Sequence, residues 1–405
     1  MIRMSCKSLV EILSEIRRAL GITRDSRHKI DITASRSEVT VRAETKSAAI
    51  ACQTAATGRN IDITLPIGAF ASVPNLAKQE VTIAPTEDGG TIEWRNSAGV
   101  RSSITEKSAS APLDDNDHNS SISAERSTIG EPDWLISNQR ELGKALSQAA
   151  SIADPTSLRY SLGCLRLRGC DGQVAATDGR QAYVASGFAF PLDEVLVPSD
   201  VLSRLSGLSK CESISVGRTD DFLALRYGVG QFRWMVDLKI MKAGRFPNID
   251  QCFPLESASR CEIQIDDHDA GFLLENLDRL VGKSAEIVPL TIDLSRNLVL
   301  GRPEVHLRFR RHDATMELSD APVIEVHLER SSFQPGPMRT AIDHHFLLNA
   351  MRLGFRRFHL QQNGFPIFCI HRQSRYTCAP LHESLTIGAT PRMQSFSSVT
   401  SYAAA

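Results

Sequence analysis

Three times along this chain a short extended segment leads into an amphipathic helix and then into apolar, strand-like runs. The copies start at Leu65-Pro66, Val197-Pro198 and Ala341-Ile342, so they recur after 132 and 144 residues. Each period is the size of a domain. From Pro66, Pro198 and Ile342 to the apolar end of the next run (Ile83, Val216, Leu360) the steps are 17, 18 and 18 residues. From there to Ile92, Leu223 and Phe368 they are 9, 7 and 8. Agreement that close requires three units built to one plan.

The spacing predicts helices over 68–78, 199–210 and 343–354, with Ser199 and Asp343 as N-caps. The runs EVTIAP, SISVGR and RFHLQQ, then TIEWRN, FLALRY and IFCIHR, alternate apolar and polar residues as half-buried strands do. Turn clusters such as Glu87-Asp88-Gly89-Gly90 and Thr219-Asp220-Asp221 separate them, which predicts antiparallel hairpins. A second helix precedes each of these units. Leu9, Ile12, Leu13, Ile16 and Leu20 share one face of the first, while Glu11, Glu15, Arg17 and Arg18 take the others. Its counterparts are 140–153 and 270–282. The expected class is α+β, with two helices and antiparallel sheets in each of three similar domains.

A length of 405 residues exceeds what one core usually serves, and three domains of about 125 residues fit ordinary domain sizes. The chain is 42% hydrophobic and 23% charged. No run approaches the ~18 apolar residues of a membrane span, so a soluble protein without a membrane role is expected. The first twenty residues mix charges among apolar positions and read as the first helix rather than a secretory signal. Nine cysteines lie scattered without a CxxC pair. That pattern favours reduced, cytosolic thiols over a disulfide framework or a zinc site. A net charge of −1 excludes bulk charge as a nucleic-acid attractor but leaves room for a local basic surface. Lys107 to Ser127, rich in Ser, Ala, Asp and Asn, and the stretch from Thr390 onward read as flexible linker and tail.

No catalytic constellation is present: the chain lacks a GxxxxGK[ST] loop, a GxSxG elbow and an HExxH helix. Adjacent helical residues point about 100° apart, so His344-His345 makes a poor metal pair, and a cap accounts for Asp343. Cys378, four residues from His382, reads as a small buried apolar residue rather than a nucleophile. The expectation is no enzyme, no metal and no cofactor. Basic residues are the more informative group. Arg17, Arg18, Arg24, Arg27 and Lys29 cluster on and after the first helix, and Arg352, Arg356 and Arg357 on and after the last. Lys144, Arg204 and Lys210 add charge to the middle helices. One such cluster alone is ordinarily a solvated helix face; recurrence on equivalent helices favours a shared basic surface.

Thr177-Asp178-Gly179 alone is a hairpin signal. In order, however, RYSLG (159–163), ATDGRQAY (176–183), VPSDVLSRL (197–205) and GRFPNIDQCFP (244–254) together resemble the bacterial DNA polymerase III beta subunit, the sliding clamp. The family's patterns there are RYxLNG, ATDGHRLA, IPxxxLxxL and GRFPDYxxVxP. The last helix and hairpin, with a terminal strand ending Cys378-Ala379-Pro380-Leu381, extend the resemblance over nearly all of 1–382.

The resemblance implies clamp domains at 1–127 (ending in the linker), 128–255 and 256–385, with a flexible tail at 386–405. It implies a homodimeric, cytoplasmic ring that encircles double-stranded DNA irrespective of sequence and tethers the polymerase III catalytic subunit, after placement by a clamp loader. A divergent paralogue serving as a repair or scaffold platform is the alternative. Arg17, Arg18, Arg24, Arg27, Lys144, Arg204, Arg352, Arg356 and Arg357 would then face the phosphates. A partner-peptide pocket would comprise Leu162, Thr177, Gly179, Arg180, Gln181, Ala182, Pro254, Ala379, Pro380 and Leu381. Here Arg180-Gln181 replaces the family's His-Arg, Ala182 a Leu, Ala379 a Met and His382 an Arg. The smaller side chains would widen the pocket, and the 23 residues after His382 would partly cover it or redirect partner choice.

Overall fold

The computed structural model describes residues 1–24, 26–96, 99–107, 132, 134–157, 159, 161–190, 193–282, 287–297, 299, 301–311, 321–361, 364–390 and 393–399. They form two compact units, 1–174 with 187–245 and 175–186 with 246–405. The first unit begins with β1 (Ile2–Ser5), α1 (Cys6–Leu20), β2 (Lys29–Ala34), β3 (Glu38–Glu44), β4 (Ala48–Ala55), β5 (Thr57–Gly58) and β6 (Ile61–Pro66). It continues with β7 (Glu80–Thr86), β8 (Gly89–Arg95), β9 (Arg101–Lys107), β10 (Trp134–Asn138), α2 (Glu141–Ile152) and β11 (Cys164–Arg168). The chain passes into the second unit within β12 (Gln173–Thr177) and contributes β13 (Gln181–Ala185) there. It returns for β14 (Glu194–Pro198), α3 (Ser199–Arg204), β15 (Ser213–Arg218), β16 (Phe222–Val229) and β17 (Phe232–Lys239). The rest of the second unit is β18 (Cys261–Gln264), α4 (Asp267–Val281), β19 (Pro289–Arg296), β20 (Pro303–Arg310), β21 (Val323–Leu328) and β22 (Ser332–Gln334). After these come β23 (Met338–Asp343), α5 (His344–Arg352), β24 (Arg357–Leu360), β25 (Ile367–His371), β26 (Ser374–Cys378) and β27 (Gln394–Ser397).

In the first unit the strand orders are β5-β1-β7-β8-β9 and β10-β15-β16-β17-β4-β3-β2-β6. The second sheet is continuous because β17 pairs antiparallel with β4, from Arg233↔Gln53 to Leu238↔Ala48. Strands from 128–255 therefore complete the sheet begun by strands from 1–127. α1 buries the predicted stripe, with Leu9, Ile12 and Ile16 at 0% exposure. Each such side chain contributes roughly 1.5–3 kcal/mol on burial. The helix stops at Gly21, whose φ of 69° suits the left-handed C-cap. α2 approaches so closely that a Cβ on Gly143 would meet the Leu208 carbonyl oxygen at 2.3 Å.

The second unit holds β13-β26-β25-β24-β18-β22 and β23-β19-β20-β21-β27. The three predicted hairpins appear as β7–β8, β15–β16 and β24–β25, all antiparallel. Asp343 caps α5 as predicted, accepting from the His345 amide at 3.1 Å.

Three local expectations are corrected. The segment 68–78 is no helix beyond a 3-10 turn, Ile67–Phe70; Pro74 removes an amide and would clash with the preceding turn. The segment 199–210 is broken: α3 ends at Arg204, and a separate 3-10 turn covers Leu208–Lys210. The Glu15 carboxylate takes the Ser206 and Gly207 amides at 2.6 and 3.4 Å, which a continuous helix would have used internally. Pro198, not Ser199, holds the N-cap position, and the Ser199 amide bonds to the Gly163 carbonyl at 2.9 Å.

The tail differs most. Gln394–Ser397, expected to be flexible, forms β27 and pairs parallel with β21 from Ile324↔Gln394 to His327↔Ser397. The Ile387 amide donates to Thr291 Oγ1 at 2.8 Å, so the segment runs across this sheet. An open β21 would leave a row of backbone groups unpaired, and the tail supplies their partners. Lys107 closes strand β9; residues 108–127 of the expected linker, Tyr160 of the RYSLG motif and 400–405 of the tail lie outside the described residues.

Candidate partner-binding site and basic surface

The hairpin Thr177–Gln181 is built by its own side chains. Thr177 Oγ1 donates to the Gln181 carbonyl at 2.6 Å and accepts from the Gly179 amide at 3.0 Å. Asp178 Oδ1 accepts from the Arg180 and Gln181 amides at 2.7 and 2.8 Å. Gly179 sits at φ 91°, the positive value its turn position demands.

Strand β13 leaves this turn and pairs with β26, Gln181 opposite Cys378 and Ala182 opposite Thr377. The Ala379 amide bonds to the Arg180 carbonyl at 2.8 Å, and the Leu381 amide to the Ala341 carbonyl at 2.7 Å. Thr177, Gly179, Arg180, Gln181 and Ala182 are thus joined to Ala379, Pro380 and Leu381 through one strand pair. Pro254 is half-buried in the same unit, and among the described residues no hydrogen bond ties it to the hairpin. Leu162 stands in the first unit, 8% exposed.

The substituted positions have specific places. Gln181 is buried, and its Oε1 accepts from Tyr376 OH at 2.7 Å and Asn349 Nδ2 at 3.2 Å, while Nε2 donates to Asp178 at 2.8 Å. Arg180 lays its guanidinium 5.1 Å from the Phe346 ring centre and 3.9 Å from Asp343. A cation over a ring face is held by the ring quadrupole as well as by the carboxylate. Burial would raise the Asp343 carboxyl, but His344 and His345 beside it hold it below the usual range. Ala182 is 3% exposed, so the side chain is packed. Ala379, Pro380 and Leu381 are half-buried and leave an apolar rim. Sequence reasoning missed Phe346, the platform under Arg180, and Leu255, an apolar side chain 77% exposed next to Pro254. Phe346 belongs to the buried face of α5, and nothing local in the sequence distinguishes an exposed Leu.

Cys378 is buried, 3% exposed. Burial pushes its thiol up to about 12, with Asp178 and Asp343 adding to the effect. His382 turns to Ser384 instead, Nδ1 to Oγ 2.8 Å. The cavity in the first unit, about 600 Å³, is lined by Glu194, Arg218, Asp220 and Lys242 with Ile240 and Met241, and includes none of the predicted residues.

The nine basic residues divide by local partners. Arg18 is paired with Glu15 and also donates to the Arg204 carbonyl at 3.0 Å and Ser206 Oγ at 2.7 Å, fastening α1 to α3. Arg352 meets Asp278 at 3.2 Å, Arg356 meets Asp267 at 2.8 Å, and Arg357, already on β24, meets Glu262 at 3.1 Å. Arg24 bonds to the Ala71 carbonyl, and Arg17 reaches Ser14 Oγ at 3.3 Å. Arg27, Lys144 and Arg204 are exposed, and among the described residues none of the three meets a carboxylate.

Repeated helix pairs on antiparallel sheets, with strands of one stretch completing the sheet of the next, define the DNA sliding-clamp fold. Solved structures of bacterial DNA polymerase III beta subunits share this fold, at low sequence identity. The Bartonella birtlesii sliding clamp bound to griselimycin matches 94% of this chain and 99% of its own, at 14% identity and a TM-score of 0.69. The putative beta subunit from Eubacterium rectale matches 94% and 99%, with 16% identity and a TM-score of 0.66. The Pseudomonas aeruginosa beta subunit matches 94% and 100%, with 15% identity and a TM-score of 0.62. No protein-family model and no curated protein matches the chain. Among the described residues no helix is long and apolar enough to cross a membrane.

Proposed function

We propose that this chain is a non-catalytic DNA sliding clamp, built of domains 1–127, 128–255 and 256–385 with a C-terminal extension. Two chains close into a cytoplasmic ring around duplex DNA and tether the polymerase III catalytic subunit after a clamp loader has placed them. The observation that carries this reading is the extent of the fold match, essentially the whole of each solved clamp. Arg17, Arg24, Arg27, Lys144 and Arg204 supply the sequence-independent attraction to phosphate. Retention comes from topology, and processivity from the raised local concentration of a tethered enzyme.

Partner peptides dock on the rim formed by Ala379, Pro380 and Leu381 beside the Thr177–Ala182 hairpin, with Pro254 of the same unit completing the pocket. An apolar rim with few polar fixers suits a short motif anchored by Leu or Phe side chains. The deciding experiment loads the protein onto circular DNA with a clamp loader and then cuts the DNA. Release on linearisation supports encirclement; retention would favour a groove binder and sink the proposal.

A second reading, a clamp paralogue acting as a repair or scaffold platform, draws on one observation. Arg18, Arg352, Arg356 and Arg357 are matched by carboxylates of the same chain, which leaves less charge for DNA. Light scattering separates the two, since a strict monomer at micromolar concentration counts against the processivity role.

A further inference from the structure

Strands β20 and β21 carry the same tetrapeptide, Glu304-Val305-His306-Leu307 and Glu325-Val326-His327-Leu328. Their antiparallel register sets His306 opposite His327, with Val305 opposite Leu328. Alternation along each strand therefore puts Glu304, His306 and His327 on one face of the sheet, and the apolar Val305, Leu307, Val326 and Leu328 on the other.

The two imidazole rings stack with centres 4.7 Å apart and planes 13° from parallel. Glu304 Oε2 lies 3.4 Å from His306 Nε2. One ligand atom from each of the three residues falls within 4.8 Å of the others. Neighbouring groups hold the set in place. Asn297 Nδ2 donates to Glu304 Oε1 at 2.7 Å and leaves Oε2 toward the histidines. Glu329 Oε1 stands 3.1 Å from His327 Nδ1 and accepts from Ser397 Oγ at 3.0 Å. Glu325 lies 3.7 Å from His306 Nδ1, a nitrogen that has no hydrogen-bond partner among the described residues. Carboxylates behind histidine ligands fix the tautomer and raise basicity in metal sites.

We propose that Glu304, His306 and His327 bind a divalent transition metal of the zinc class. Two imidazoles and one carboxylate, partly exposed at 14%, 27% and 25% for His306, His327 and Glu304, form a donor set that leaves open positions for water. The ion links β20 to β21 and stiffens the strand on which β27 docks. Among the described residues the other histidine group with metal-ligand spacing is Asp278, His344 and His345. Its carboxylate already carries Arg352 at 3.2 Å, so a cation there meets a competing charge. Glu304 has no such Arg or Lys partner among the described residues. Arg308 faces the same sheet surface but is occupied by Asp293 and Glu325.

The test uses untagged full-length protein, stripped with a chelator and titrated with Zn²⁺ against a chromogenic competitor. One zinc per chain at an affinity on the order of micromolar is expected. His306→Ala, His327→Ala and Glu304→Gln should each weaken binding more than about tenfold, and His345→Ala should leave it unchanged. Thermal melting of each variant without metal checks the fold, and zinc should raise the melting temperature of wild type but not of Glu304→Gln. Two outcomes overturn the proposal: no zinc bound by wild type at submillimolar concentration, or equal affinity in folded Glu304→Gln and wild type.

Discussion

Ser398 is the pin that holds the C-terminal strand, and removing its hydroxyl should free that strand without unfolding the chain. Its Oγ donates to Asp269 Oδ1 at 2.7 Å and accepts from the Glu329 amide at 3.1 Å. Asp269 is 0% exposed, and its other oxygen is taken by Ser331 Oγ at 2.6 Å and the Arg330 amide at 3.0 Å. Ser398→Ala thus strips one carboxylate oxygen and one partly buried amide of a partner. A hydrogen bond to a charged group is worth about 1.5–3 kcal/mol and a neutral one about 0.5–1.5, so roughly 2–4 kcal/mol of local stability is at stake. β27 is a single four-residue strand paired on one side only, and a loss of that size should dominate its opening equilibrium. Hydrogen exchange over 393–399 should accelerate by about thirtyfold or more, at about 1.4 kcal/mol per decade. Ser395→Ala, at an exposed position of the same strand, should be silent. If Ser398→Ala exchanges within twofold of wild type, the tail is held by something other than this pin.

Three further outcomes follow from buried polar groups. Glu15→Ala removes the acceptor for the Ser206 and Gly207 amides and the partner of Arg18; urea unfolding should show a loss of about 3 kcal/mol. Gln181→Leu leaves Tyr376, Asn349 and Asp178 without a shared partner, and should cost about 2–4 kcal/mol by the same assay while weakening any peptide bound at the Pro380 rim. His359, stacked on Phe368, has no hydrogen bond at either ring nitrogen among the described residues, and burial holds it below its usual 6.5. A depressed histidine loses stability as pH falls below that value, because the unfolded chain takes the proton first. His359→Phe should therefore be neutral to about 1 kcal/mol more stable at pH 7.5, and should lose less on going to pH 5.5; melting curves with identical pH dependence would contradict this.

The parts of this fold legible in the sequence were those set by short-range periodicity. The α1 stripe, the three hairpins and the Asp343 cap each depend on neighbours within a turn or a strand. The illegible parts depend on partners far along the chain. α3 stops early because Glu15, nearly two hundred residues upstream, takes its amides. The tail reads as disordered since Gln394–Ser397 has no apolar pattern of its own. It folds because β21 offers an unpaired edge and Asp269 a carboxylate oxygen, neither visible near residue 398. The same limit hid the histidine pair: no spacing rule links residues 306 and 327, and only the β20–β21 register brings them face to face.

For the partner site the sequence located the hairpin and the terminal strand separately, and the β13–β26 pairing joins them. At the substituted positions Gln181 is a buried hydrogen-bond hub and Ala182 a packed residue, roles set by partners far along the chain. Two of the departures from the family pattern, Arg180 and Gln181, sit in a polar setting. Gln181, Tyr376 and Asn349 share a hydrogen-bond network, and Arg180 covers Phe346 beside Asp343. Restoring the family's Arg at position 181 should cost stability before it restores a pocket, because the network loses a member while its other polar groups stay buried.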